Sequence, residues 1–430
     1  MNRLKKIILT SLSVISVPLV SSAQLTIDRC FEMAKAHYPA VAQYNLIDES
    51  ESFDIASAAR SWIPQITFSG QASWQTEAIA FPDAFNQILK MQGVDMPGMN
   101  KDQYNLVLDI SQTLWDGGAS KTGKELARAE AAEKRLDAEV SIYALEERVS
   151  SLFFGILLLE ANYQTAVNGK ETLDANYRKL ESMVRNGVAL QSDLDMLEVE
   201  RISLDEKIRQ NRASASCFRT MLELFIGEPI GGRSLVKPDE IPVGDISSNR
   251  PELRLLDAKL TTLDARERML GVSLTPKIAA FAQGLYGYPG LDMFKSMENS
   301  DWRWNAIVGV RLQWNITPFF TYGTDRKKIE NARRMLTVQK DVFEFNSSLQ
   351  AAQQTSEIKR MGESLESDGR IVELRTGIRK TAESQFEKGV IDTPALLQRI
   401  SEESAAMNSR NIHEIELLKM EYDLRHTLNK

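Results

Sequence analysis

Cysteine and histidine are scarce in this chain of 430 residues, with two of the first and three of the second. Cys30 and Cys217 could form at most one bond, and one bond staples a fold that already exists. Two separate buried thiols are expected. His37, His413 and His426 are too few and too scattered for a metal cluster; His37 and His426 read as solvated or capping residues. No Ser/His/Asp or Cys/His constellation is present, so nothing supports an enzyme, and no cofactor is implied. Beyond Val20 no stretch of eighteen residues is apolar, which excludes a membrane-spanning helix. What remains is a soluble exported protein or one that meets the membrane as a β-barrel. A basic excess is lacking as well: the formal net charge is −7. That is a poor basis for nucleic-acid binding.

The N-terminus carries Arg3, Lys5 and Lys6, then an uncharged and mostly apolar run from Ile7 to Val20, then Ser21-Ser22-Ala23. This is the pattern of a cleavable secretory signal peptide over residues 1–23. Removing its three positive charges takes −7 to −10 for the mature chain. A lipoprotein would need a cysteine at the cleavage point, and Cys30 lies seven residues past it.

The chain repeats itself. Tyr38-Pro39 is answered 212 residues later by Arg250-Pro251, and Pro64-Gln65-Ile66 by Pro276-Lys277-Ile278. The offset then drifts to 205, where Glu125-Leu126-Ala127-Arg128 meets Glu330-Asn331-Ala332-Arg333. It ends at 202, where Asn186-Gly187-Val188 meets Lys388-Gly389-Val390 and Leu194 meets Leu396. Such drift fits a duplicated unit with loop-length changes. Residues 227–248 hold seven Gly or Pro among 22 and read as a linker. The two repeats are then 24–226 and 249–430.

Each repeat reads as helix, strand, loop, strand, long helix, turn, helix. In the first, a helix is expected over Ile27–Ser61 with Pro39 tolerated near its start, then a β-hairpin over 65–114 with strands Gln65–Gln75 and Tyr104–Leu114. A long helix over 118–186 and a returning helix over 189–226 follow. The second repeat gives a hairpin over 277–316 with strands Lys277–Tyr288 and Trp302–Trp314, and helices over 324–387 and 392–428. Alternation of polar and apolar residues over about ten positions is the signature of a transmembrane β-strand. Trp74, Tyr104 and Trp115, and Tyr286, Trp302, Trp304 and Trp314, gather near strand ends, as in an aromatic girdle. The loops Thr76–Gln103 and Pro289–Asp301 fall together on the far side of the membrane from the helices. Leu190, Leu194, Leu197, Leu204 and Ile208 form a heptad seam in which Arg201 breaks one slot. Helices with one narrow apolar stripe suit a wall one helix deep.

Four strands are too few to close a barrel, since the smallest have about eight. Open edges in lipid cost several kcal/mol per unpaired group. Copies must therefore share a barrel, in multiples of four strands. The expected fold class is an α+β membrane protein, mostly long helices with four transmembrane strands per protomer.

In this order and twice over, the proline-led helices, the Pro64 and Pro276 strand starts, Leu114-Trp115-Asp116-Gly117-Gly118 and the Gly187 and Gly389 turns resemble the TolC family of outer-membrane efflux channels. The resemblance covers essentially the whole mature chain. It implies a homotrimer with a twelve-stranded barrel in outer-membrane lipid over a periplasmic helical tunnel, and an equatorial region holding the 227–248 linker. It implies passive conduction, fed by an inner-membrane pump through a periplasmic adaptor that meets the helix-turn-helix tips. Here those tips are Asn186-Gly187-Val188-Ala189-Leu190 and Lys388-Gly389-Val390-Ile391. Family entrances are commonly closed by a hydrogen-bonded and charged network near the tips. Asp193 matches one network position. Phe386 stands where a tyrosine is expected, Ile391 where an arginine is expected, and Ala395 and Gln398 where ring carboxylates are expected. A closed state held by apolar packing of Phe386 and Ile391 follows. Asp193, Asp195 and Asp392 are candidate lumen carboxylates, and equally candidate helix caps.

Two other patterns carry less. Gly118 to Lys124 has phosphate-loop spacing, but Glu125 occupies the Ser/Thr position that would hold magnesium. Met91, Met96 and Met99 fall in the first loop and read as plain loop methionines. The rival to the channel reading is a periplasmic coiled-coil structural or adaptor protein, which leaves the aromatic-rich strands unexplained.

Overall fold

Proline sets the breaks in this chain. Tyr38, ahead of Pro39, takes extended backbone (φ −63°, ψ 129°), as the proline ring demands of its predecessor. The helix expected over Ile27–Ser61 is therefore two, α1 (Ile27–His37) and α2 (Ala42–Ala59), with a 3-10 turn at Pro39–Val41 between them. Pro64 and Pro276 precede β1 (Gln65–Trp74) and β3 (Lys277–Tyr288). The computed structural model describes residues 24–231, 233–239 and 249–429. The expected signal segment 1–23, and Gly232 and 240–248 of the expected linker, lie outside the described residues.

The remaining elements follow in order: α3 (Asp83–Met91), β2 (Asp102–Trp115), α4 (Ala119–Arg185), α5 (Gln191–Ile226) and α6 (Pro251–Val272). After β3 come α7 (Met293–Glu298), β4 (Arg303–Gln313), α8 (Thr317–Glu387) and α9 (Thr393–Leu428). The protein is mostly helical, with one antiparallel sheet in the order β1-β2-β3-β4. Three boundaries differ from expectation. The first inter-strand loop contains α3, the second contains α7, and α8 starts seven residues before 324. In α3, Phe85 and Ile88 stand three apart, a spacing too short-lived to be legible in a nine-residue helix.

The chain divides into two compact units, and each draws on both repeats. One comprises Met1–Tyr38, Ala144–Ser247 and Leu349–Lys430; the other Pro39–Tyr143 and Ser248–Ser348. In the first unit, α1 buries Ile27, Cys30 and Ala34, spaced three and four apart on one helix face. They join Val149, Phe153, Phe154 and Ile156 of α4, and Leu222 and Ile226 of α5, in one apolar core. Each of the Val, Leu, Ile and Phe side chains contributes about 1.5–3 kcal/mol on burial. Leu25 bridges to Leu235, so part of the linker runs beside the N-terminal segment. The cysteines are unpaired. Cys30 is buried, its thiol pushed up to about 12 by burial, whereas Cys217 is exposed, against the expectation of two buried thiols.

The second unit holds the sheet. Ladder partners share a face, so rows run across all four strands. Ile66, Ile110, Ala282 and Val308 form one row, and it lies on the face that also carries Phe68, Leu108, Trp304 and Val310. This face is bare: Phe68 is 69% and Val308 78% exposed. The opposite face carries the row Thr67, Asp109, Gln283 and Ile307, where Gln283 Nε2 donates to Asp109 Oδ2 at 2.5 Å. Tyr104 stacks on Trp302 at 6.0 Å, and Tyr286 packs on the same ring at 5.4 Å. Trp304, near the start of β4, and Trp314, one residue past its end, stand ten residues apart. At about 3.3 Å per residue and a tilt of about 40°, they bracket a band about 25 Å tall, the apolar height of an outer-membrane barrel.

Candidate docking tips and entrance residues

The tips are built from helix ends. α4 stops where Gly187 takes left-handed backbone (φ 70°), with Gly187 N donating to Val184 O and Val188 N to Met183 O, both at 2.9 Å. α8 stops in the same way at Gly389 (φ 71°), with Gly389 N on Phe386 O and Val390 N on Gln385 O, again at 2.9 Å. This paired bonding closes a helix through a left-handed residue, and glycine adopts that conformation without the Cβ clash. No atom lies within 4 Å of a Cβ built on either glycine. The conformation, not crowding, demands glycine there, and the surface above it is open. Val188, Leu190 and Val390 project from these turns, each about two-thirds exposed or more. Leu190 is thus the N-cap of α5 and not a member of the heptad seam, which begins at Leu194.

The carboxylates at the tips have local partners. Asp193 accepts from Leu190 N at 3.2 Å, and Asp392 caps α9 by accepting from Ala395 N at 3.0 Å. Asp195 is exposed and accepts from Gln191 Nε2 at 2.9 Å. Gln398, also exposed, donates to Glu402 Oε1 at 3.2 Å.

Phe386 is buried. It joins Leu173, Leu180, Leu194, Leu197, Leu396 and Ile400, with Ile391 packed at the margin. This cluster draws on both hairpins, α4–α5 and α8–α9. Between the tips lies an open pocket of about 600 Å³ lined by Met183, Val188 and Asp193 on one hairpin and by Phe386, Gly389, Ile391 and Ala395 on the other. Arg201, the interruption in the seam, spans α4 and α5. Its Nε donates to Asp174 Oδ1 at 2.6 Å while its guanidinium lies 4.5 Å from the centre of the Tyr177 ring.

Above the apolar cluster sits a charged network absent from the sequence reading. Arg379 of α8 meets Glu383 at 2.7 Å, one turn on, and Glu403 of α9 at 2.5 Å. Its Nε faces Glu403 as a charge contact without hydrogen-bond alignment, and Glu403 Oε1 is buried with no partner among the described residues. Asn176 of α4 donates to Glu383 Oε1 at 3.2 Å and so ties the two hairpins. Burial works against the Arg379 charge, but the two carboxylates outweigh it and its pKa lies above the usual arginine value. Lower down, Lys179 bonds Glu387 and holds its carboxyl below the usual glutamate range. The Arg379–Glu383 spacing was visible in the sequence; the Glu403 and Asn176 partners come from distant positions.

The phosphate-loop pattern is filled from within. Asp116 accepts from Gly118 N at 2.9 Å and Ser120 N at 2.7 Å, so the N-terminus of α4 already holds its own carboxylate.

Residues 31–224 match the family model described as outer membrane efflux protein. No curated protein sequence matches the chain. Among solved structures, the outer-membrane channel OprN is 15% identical, with 94% of this chain covering 89% of that one at a TM-score of 0.68. VceC of Vibrio cholerae is 12% identical, with coverage of 94% and 95% and a TM-score of 0.67. The open state of the Neisseria gonorrhoeae MtrE channel is 12% identical, with coverage of 94% and 88% and a TM-score of 0.65. At these identities the likeness carries the fold. By sequence, residues 31–224 match the outer membrane efflux protein family, and by fold nearly the whole chain is similar to solved outer-membrane channels.

Proposed function

We propose that this chain is one protomer of a homotrimeric channel. It lies in the outer membrane of a Gram-negative-type cell and passively conducts cargo delivered by an inner-membrane pump through a periplasmic adaptor. One observation carries the reading: a four-stranded sheet bares a continuous apolar face and leaves β1 and β4 unpaired at its edges. Water is a poor solvent for that face, and lipid is a poor solvent for those edges. Three copies remove both costs by closing twelve strands. A periplasmic coiled-coil adaptor would leave the apolar face without a fitting solvent.

In this reading the adaptor meets the exposed Val188, Leu190 and Val390 around the two glycine turns. With Phe386 buried inside the protomer, the closed entrance rests on apolar packing and on the Asn176–Glu383 and Lys179–Glu387 ties between hairpins. Asp193 and Asp392 cap helices, which leaves Asp195 as the tip carboxylate most open to passing cations. The test is purified protein in planar bilayers. Discrete conductance steps from a detergent-stable trimer are expected; a monomer that pellets away from outer membranes and carries no current overturns the proposal.

A further inference from the structure

The polar face of the sheet is not neutral. The odd-numbered residues of all four strands share it. The charged ones among them are Asp109 of β2, Lys277 of β3, and Arg303 and Arg311 of β4. Three cations meet one carboxylate there, in a chain whose formal net charge is −7. The positive excess is local and runs against the background composition.

Two of these four charges are engaged. Asp109 accepts from Gln283 Nε2. Arg303, at the loop end of β4, donates to Asn299 Oδ1 at 2.6 Å and to Lys295 O at 3.4 Å. The other two differ. Neither the Arg311 nor the Lys277 side chain makes a hydrogen bond or ion pair among the described residues, and both are exposed. Lys277 pairs across the ladder with Gln313, and Ala279 with Arg311. The two cations are therefore diagonal neighbours on one face, about 7–8 Å apart at the backbone. They stand where β3 begins and β4 ends, at the helical end of the sheet. Asp116, which follows β2 at that same end, points its carboxylate into the N-terminus of α4 and not onto them.

Arg311 is also held in place. Its guanidinium carbon lies 4.7 Å from the centre of the Phe281 ring. Phe281 pairs across the ladder with Gly309, and a Cβ built on Gly309 would come within 3.0 Å of that ring. Glycine at 309 thus lets the ring lie close against β4, and the ring in turn supports the cation. An aromatic face attracts a guanidinium but satisfies none of its N–H donors. A planar fork with free donors takes an oxyanion bidentately, and the neighbouring ammonium adds a second positive charge. Rings of arginine and lysine are what anion and phosphate pores carry.

We infer that Arg311 and Lys277 form an anion-binding station on the pore wall, which favours passage of solutes that carry phosphate or carboxylate groups. This deepens the proposed function and rests on it, since there the polar face lines the lumen. The sign is opposite to the one Asp195 gives the tips. The test uses full-length protein in planar bilayers, with tripolyphosphate added to each side in turn. Native channels should be blocked by it. Arg311→Gln with Lys277→Gln should raise the half-blocking concentration at least about tenfold, since charge-assisted contacts are lost. Arg303→Gln should leave that concentration unchanged, because Arg303 is already engaged by the loop. The double variant should also shift the reversal potential in a KCl gradient towards potassium. Should it fail to insert, the same comparison is read on Arg311→Gln alone. Native channels that tripolyphosphate does not block, or variants blocked as strongly as native, overturn the station and leave the channel reading standing. If the native protein gives no conductance steps at all, the channel reading falls and the station with it.

Discussion

At the scale of single residues, Arg379 shows how much one charge can hold. It faces two carboxylates, Glu383 and Glu403, and its side chain and that of Glu403 are largely shielded from water. Removing one partner of a buried ionic group costs more than never having built it, because the remaining charges stay desolvated. Arg379→Met is therefore expected to destabilise the protein by about 3 kcal/mol, measured by urea unfolding. The triple change Arg379→Met, Glu383→Met and Glu403→Leu should recover most of that loss. A loss under about 1 kcal/mol in the single variant would mean the network is solvated and behaves as a surface pair. Arg201 illustrates the same point in a milder form. As a letter it interrupts a leucine seam; in the fold it bridges two helices and stacks on Tyr177.

At the scale of elements, the strands were legible and the helix ends less so. Alternation repeats every two residues, so a strand declares both its extent and its faces within ten positions. All four strands lie within two residues of expectation at each end. Faces one residue apart should then respond oppositely to charge. Val308→Arg on the bare apolar face is expected to cost about 2–4 kcal/mol in the bilayer and to sharply lower the fraction of protein recovered in outer membranes. Ile307→Arg, its neighbour on the opposite face, should insert normally. Equal loss in both would sink the facing assignment. The break between α1 and α2 and the short helix α3 were less visible. The first depends on how Tyr38 yields to Pro39. The second is short and has no buried residue, and it sits in a loop tied through Gly98 N to Met297 O at 3.2 Å and Met99 N to Ile79 O at 2.9 Å.

At the scale of the whole molecule, the proposed function places a partner at the tips. Gly389 is held at φ 71° with open space above it. Gly389→Trp should leave the proposed trimer intact on a heat-modifiability gel yet raise susceptibility to exported compounds, because bulk is added where the proposed adaptor would approach. Unchanged susceptibility would remove the docking role from this turn. The strain itself is about 1 kcal/mol, small beside the cost of unfolding.

The sequence by itself determined the period and faces of the strands, the glycine-closed helix ends and the count of four strands, too few to close a barrel alone. These are local patterns or counts, and both survive without knowledge of what touches what. Only the tertiary structure decided that Phe386 is packed inside the protomer, that Asp193 and Asp392 are spent on helix ends, and that Glu403 reaches Arg379. Such facts rest on contacts between distant positions, which no period encodes.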